Sequence, residues 1–175
     1  MTRWACDTGP LLHLHQAGLL ELLPCMGQIS TAAAVVSEWR RHAPEIIQTA
    51  WPSWLSEEML SPKALAIAHN WVTSGLLDIG EAETLAMAQE ANSDGLLTDD
   101  AAAREMAVAL GLKVSGSLGV VLSAAARGVL GRIEAIAALE RLQNRSTLWL
   151  SAKVRNEARI ALDRILESRG RQMRQ

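Results

Sequence analysis

The sequence predicts a helix-rich α/β fold, a parallel sheet flanked by helices on both faces in three layers. Three observations carry that prediction. Short apolar segments alternate with longer stretches of helical periodicity, the order that builds parallel sheets. Ala and Leu dominate, Tyr and Phe are absent, and all aromatic character sits in six Trp, a balance that favours helices over strands. Acidic residues stand at the ends of two strand-like segments, Asp7 after the first and Asp99–Asp100 after a later one. In such sheets the carboxyl ends of the strands face the binding crevice, so acids distant in sequence would meet at one edge. The 175 residues suit one domain over 1–175.

Trp4–Cys6 is a short apolar run and reads as the first strand. Thr8 can cap a helix carrying Pro10 in its first turn, with Leu11, Leu12, Leu14, Leu19 and Leu20 on a broad apolar face. Gly18 lies inside or ends that helix, and Pro24 stops the leucine-rich segment after it. Gln28–Ser30 is a second strand element or a loop. Thr31 is expected to cap a helix to about Arg41, with Val35, Val36 and Trp39 in the core. Trp51 to Pro62 reads as a long connection. Pro62–Val72 and Gly80–Ala91 are helical by pattern. Gly95–Thr98 is a strand, Ala101–Leu110 a helix closed by Gly111, and Leu112–Ser115 another strand. Ser117 opens a helix to Arg127 closed by Gly128, and Gly131–Leu142 and Ser151–Leu166 are the last helices.

Composition narrows the function classes. Cys6 and Cys25 lie in no CxxC or Cys/His cluster, which argues against zinc and for small apolar packing residues. The first residues do not read as a signal peptide, and no apolar run approaches the roughly 20 residues of a membrane span. A cytoplasmic chain without a membrane role is expected. Charge is divided: residues 1–126 hold six basic and fourteen acidic residues, and 127–175 hold eleven and five. The basic balance belongs to a helical C-terminal segment at about 145–175. Arg155, Arg159, Arg169 and Arg171, with Arg164 and Arg174, are candidates to hold nucleic-acid phosphates there.

Five acids stand out together: Asp7, Glu38, Glu81, Asp99 and Asp100. Individually each has a plain structural use. Asp7, Asp99 and Asp100 could cap helices, Glu38 could face solvent on its helix, and Glu81 and Glu83 favour a helix N-terminus. Glu81 and Glu83 are about 200° apart on a helix wheel, so one site does not take both. Other motifs carry less. Asp7-Thr8-Gly9 spells an aspartic-protease triplet, but a leucine-rich helix follows it and a second copy is missing. His13 and His15 point to different helix faces and are not read as ligands. A phosphate-handling receiver would need a Lys after a late strand, and Lys113 falls within one. There is no GxGxxG, Walker lysine or HExxH motif.

In order along the chain, the acidic segments resemble the PIN-domain family. Cys6-Asp7-Thr8-Gly9-Pro10-Leu11-Leu12 resembles its opening DTSPL segment, and Val36-Ser37-Glu38-Trp39 sits where the family carries a helical glutamate. Gly80-Glu81-Ala82-Glu83-Thr84-Leu85-Ala86 resembles the GEAE segment of one bacterial and archaeal branch. Leu97-Thr98-Asp99-Asp100 matches the late acidic motif, and Gly116-Ser117-Leu118-Gly119-Val120 the segment after it. Gly9 stands where the family usually has Ser or Asn. The resemblance implies a Rossmann-like sheet, a Mg²⁺ or Mn²⁺ site and ribonuclease activity. It also raises two partners: an antitoxin protein, as for the VapC toxins, and a second copy in a homodimer.

The chemistry of the residues agrees with that implication. Phosphodiester hydrolysis needs an activated water and a stabilised leaving oxygen, both of which divalent cations provide. Mg²⁺ takes oxygen ligands and retains waters, so a few carboxylates suffice. Asp7 and Asp100 are read as direct ligands, and Glu38 and Glu81 as ligands or as groups that orient water. Asp99 competes with Asp100, and Thr8 and Thr98 supply supporting hydroxyls. The alternative is a PIN-fold binding module that has lost catalysis.

Overall fold

The structure is a computed structural model that describes residues 1–43 and 51–172. Arg174, one of the expected RNA-binding residues, lies outside the described residues. Five parallel strands form the sheet: β1 (Arg3–Cys6), β2 (Gln28–Ala32), β3 (Leu55–Glu58), β4 (Gly95–Leu97) and β5 (Lys113–Ser115), in the order β3-β2-β1-β4-β5. The helices are α1 (Thr8–Gln16), α2 (Ala33–His42), α3 (Pro62–Thr73), α4 (Ile79–Glu90), α5 (Ala101–Ala109), α6 (Ser117–Ala126), α7 (Arg132–Arg145) and α8 (Ala152–Gln172). The expected helix-rich α/β sheet is therefore what the chain forms.

Alternation along the strands builds the two faces, because successive side chains point to opposite sides. Trp4, Cys6 and Leu97 join Leu11, Leu14, Val120 and Val121 in one buried core. Ala5 and Leu96 join Leu85, Ala86 and Ala103 in the other. Helices α1, α6 and α7 thus pack on one face and α4 and α5 on the other. Between these layers, α2 lies against both α1 and α4. Cys6 and Cys25 are free thiols, the first buried and the second half-buried.

Several local expectations are corrected. Asp7, not Thr8, is the residue before α1, its carboxylate accepting the Thr8 amide at 2.7 Å. Thr31 does not cap α2. It is buried within β2 and donates its hydroxyl to the Cys6 carbonyl at 2.8 Å, so α2 begins after Ala32. Pro24 stops nothing, since it lies inside a 3₁₀ turn over Leu20–Met26 that ends at Gly27. The stretch read as a long connection contains β3, an edge strand with one buried residue, Leu55. Near the C-terminus, the basic segment is not helical throughout, because residues 146–151 separate α7 from α8.

Register places the acids. Strand order reverses direction at β1, which pairs with β2 on one side and β4 on the other. Cys6 aligns with Leu97, and the Asp7 amide donates to the Leu97 carbonyl at 2.9 Å. Asp7 and Thr98 therefore leave the sheet side by side at its carboxyl edge, where such folds open a crevice.

Candidate active site

An open cleft of about 400 Å³ lies at this edge, lined by Asp7, Thr8, Gly9, His13, Glu38, Asp78, Glu81, Asp99, Asp100 and residues 147–149. All five acids singled out in the sequence are in that lining. Strand β1 delivers Asp7 and the turn after β4 delivers Asp99 and Asp100. Glu38 comes from α2 and Glu81 from the first turn of α4.

Asp7 is buried. One carboxylate oxygen accepts the Thr8 amide and the other accepts the Thr98 hydroxyl at 3.0 Å. Burial pushes its carboxyl up to about 7, and the nearby Glu81 and Glu38 charges add to the rise, while the Thr8 and Thr98 hydrogen bonds oppose it. Glu81 is also raised, first by burial and then by the charges of Asp100, Asp78 and Glu38, against the hydrogen bond from Asp78. Thr98 serves two acids: besides donating to Asp7, its hydroxyl accepts the Asp100 amide at 3.1 Å. Thr8 donates its hydroxyl to Glu38 Oε2 at 2.6 Å.

Each remaining acid is oriented by a bond of its own. Glu81 Oε2 accepts the Asp78 amide at 2.9 Å. Asp100 Oδ1 accepts the Ala103 amide at 2.8 Å and so caps α5. Asp99 is the most engaged: Oδ1 accepts the Ser117 amide, and Oδ2 bonds both His13 Nδ1 at 2.8 Å and the Ser117 hydroxyl at 2.5 Å. Among the described residues, Glu38, Glu81 and Asp100 each keep one carboxylate oxygen without a hydrogen bond. Glu83 turns elsewhere, accepting the Ala34 amide at the start of α2. The glycine-for-serine departure is not forced by a clash, since a Cβ on Gly9 would meet Asp99 Cβ at 3.4 Å, at the near edge of ordinary contact.

The cleft lining, among the described residues, holds no Lys or Arg. Arg155 and Arg159 line a separate cavity of about 90 Å³ between α7 and α8. Arg169 is turned inward, donating to the Ala125 carbonyl at 2.7 Å and to that of Leu130 at 3.3 Å. Arg171 is exposed beside Glu167, 3.7 Å away. Sequence reasoning missed His13, Asp78, Ser117 and residues 147–149. Only Asp78 carried a local signal, as the residue before a helix whose third position is Glu81.

Six carboxylates in one cleft, with His13 on Asp99 and no Lys or Arg in the described lining, call for a cation. Their oxygen donors suit a hard divalent ion, and a cation there would offset both the burial of the Asp7 charge, which is the main cause of its rise, and the smaller repulsion from Glu81 and Glu38. No three His, Cys, Asp or Glu among the described residues converge closely enough to hold an ion directly as they stand. Mg²⁺, which needs only one or two carboxylates and keeps its waters, is the hard cation this arrangement fits.

A Rossmann-like parallel sheet with carboxylates gathered at its switch point defines the class of protein. A family model described as a PIN domain matches residues 3–164, and the chain belongs to the PIN-domain family. The PIN fold is a nuclease-type fold, commonly that of ribonucleases, and PIN domains typically bind divalent metals. No curated protein sequence matches the chain. Among the described residues no helix is long and apolar enough to cross a membrane.

Proposed function

We propose that the chain is a Mg²⁺- or Mn²⁺-dependent endoribonuclease acting through Asp7, Glu38, Glu81 and Asp100. The observation that carries this reading is Asp7: a buried carboxyl raised to about 7 beside Glu81 and Glu38, in an acidic cleft whose described lining holds no basic side chain of Lys or Arg. Asp7, Asp100, Glu38 and Glu81 would hold the cation. When bound, it supplies positive charge to the phosphate and lowers the pKa of a water.

The chain's own residues do the positioning. Thr98 ties Asp7 to Asp100 through one hydroxyl, so the two acids keep a fixed relation. Thr8 holds Glu38, and the amide of Asp78 holds Glu81. Asp99, already bonded by His13 and Ser117, acts as a brace that fixes the turn after β4. That division favours Asp100 over Asp99 as the direct ligand.

This reading makes RNA the substrate, with Arg155, Arg159 and Arg171 as candidate phosphate contacts away from the cleft. It also makes an antitoxin protein and a second copy of the chain the partners to look for, by co-purification and by solution mass. A rival reading is a PIN-fold binding module without catalysis, and the lack of three converging ligand side chains among the described residues favours it. Incubating RNA with the purified protein in Mg²⁺ or Mn²⁺, and again in excess EDTA, separates the two. Cleavage that stops in chelator supports the enzyme; RNA binding without cleavage in either condition supports the module.

A further inference from the structure

We propose that Trp149 is a stacking platform for an unpaired nucleobase beside the scissile phosphate. The inference rests on the nuclease reading above. Trp149 is 83% exposed, yet it lines the same cleft as Asp7, Glu38 and Asp100. A singly exposed ring is ordinary on a protein surface; this one stands in the wall of the cleft, where its face is open to a base.

Its setting holds it there. The Thr147 amide and hydroxyl both donate to Gln16 Oε1 of α1, at 2.8 and 3.0 Å. Leu148, next in the chain, packs against the main core. Leu150 turns into the cavity between α7 and α8. With a leucine anchored inward on either side, the indole between them is presented outward on a pinned segment.

Electrostatics favour such a contact. A cleft lined by carboxylates, with no Lys or Arg in its described lining, repels RNA phosphates until a cation is present. Within the cleft, a contact that is indifferent to charge adds affinity that the carboxylates do not oppose. Stacking of a base on an aromatic face supplies this and tolerates any base sequence. It requires a base that is not already paired, so loops and single strands are favoured over duplex.

The test compares the wild type with Trp149→Ala and Trp149→Phe. The probe is a short fluorescein-labelled oligoadenylate, with duplex RNA as the control. Kd is read in Ca²⁺ by anisotropy, and KM and kcat are read in Mg²⁺. Trp149→Ala should weaken Kd and raise KM by about 5- to 150-fold with the single strand. Its effect on duplex binding should be small, kcat should change least, and Trp149→Phe should recover most of the loss. Kd and KM unchanged by Trp149→Ala, while the wild type cleaves, would overturn the platform and leave the nuclease intact. Trp149-dependent binding with no cleavage in Mg²⁺ would sink the nuclease and keep the platform. A wild type that neither binds nor cleaves the probe overturns both. Unchanged KM together with a fall in solution mass on Trp149→Ala would place the indole in a protein interface, and overturn the platform as well.

Discussion

At the scale of single residues, Asp7 both caps a helix and lines the candidate site. It precedes α1 and binds the Thr8 amide, as a helix-capping reading of the sequence allows, yet it is also the buried acid of the cleft. Its carboxyl stands at about 7 against an ordinary 3.8. Between those values the folded chain keeps a proton that the unfolded chain has lost. That contribution to stability is complete below about pH 3.8 and is lost as pH rises through about 7. Asp7→Asn should therefore be more stable than the wild type above pH 7 without metal, with the gain shrinking toward pH 4. Denaturant unfolding across that range in EDTA checks the sign. Metal competes with the same proton, so wild-type Mg²⁺ affinity should rise as pH passes upward through 7, which calorimetric titration reads. Thr98→Val removes the hydroxyl shared by Asp7 and Asp100 without changing side-chain shape. It should cost about 1–3 kcal/mol of stability, the penalty for buried groups left unpaired. Asp7 and Asp100 could be picked out in the sequence because they end apolar segments. The His13 and Ser117 bonds to Asp99 could not, because helix-wheel spacing says nothing of partners 86 and 18 residues away.

At the scale of elements, the approach of α4 to α2 sets the cleft. Gly80 opens α4, and a Cβ there would meet Glu38 Oε2 at 2.7 Å. Gly80→Ala suits helix propensity, so stability should change by less than about 1 kcal/mol. Glu38 would have to swing away, and turnover should fall although no acid has been removed. Comparing melting with cleavage rate for this variant checks both halves; normal turnover would show that the Glu38 position is not needed. The helices were readable because their caps and terminating glycines are local: Gly111 and Gly128 end α5 and α6 with φ of +79° and +80°. Strand β3 was not, because Leu55-Ser56-Glu57-Glu58 buries only its first residue and an edge strand needs little apolar pattern. Thr31 misled for a different reason. Its hydroxyl is a plausible cap in sequence, but the neighbouring strand supplies the Cys6 carbonyl as a better partner.

At the scale of the whole molecule, the proposed function assigns cleavage of RNA to the acidic cleft and phosphate binding to the basic C-terminal helix. Not every arginine is free for it. Arg169 binds the carbonyls of Ala125 and Leu130, so Arg169→Ala should cost about 1.5–3 kcal/mol of stability with little effect on the salt dependence of RNA binding. Arg155 and Arg159 are different: if RNA crosses α8, each neutralisation should lower the salt slope by somewhat under about one unit. Binding isotherms over a salt series distinguish the two kinds of arginine. The charge division itself could be read from the sequence, but which arginines turn inward depends on where α8 docks, and no local pattern encodes that. The central claim is that the carboxylate cleft cleaves RNA with a divalent cation. Its most direct test is the initial rate of single-stranded RNA cleavage across a Mg²⁺ titration, for wild type and Asp7→Asn side by side. The wild-type rate should be zero in EDTA and saturate with Mg²⁺, and the Asp7→Asn rate should be lower by more than about 100-fold, beyond what loss of a group supporting a ligand usually costs. Equal rates for the two proteins at every Mg²⁺ concentration, or wild-type cleavage undiminished in EDTA, would contradict it.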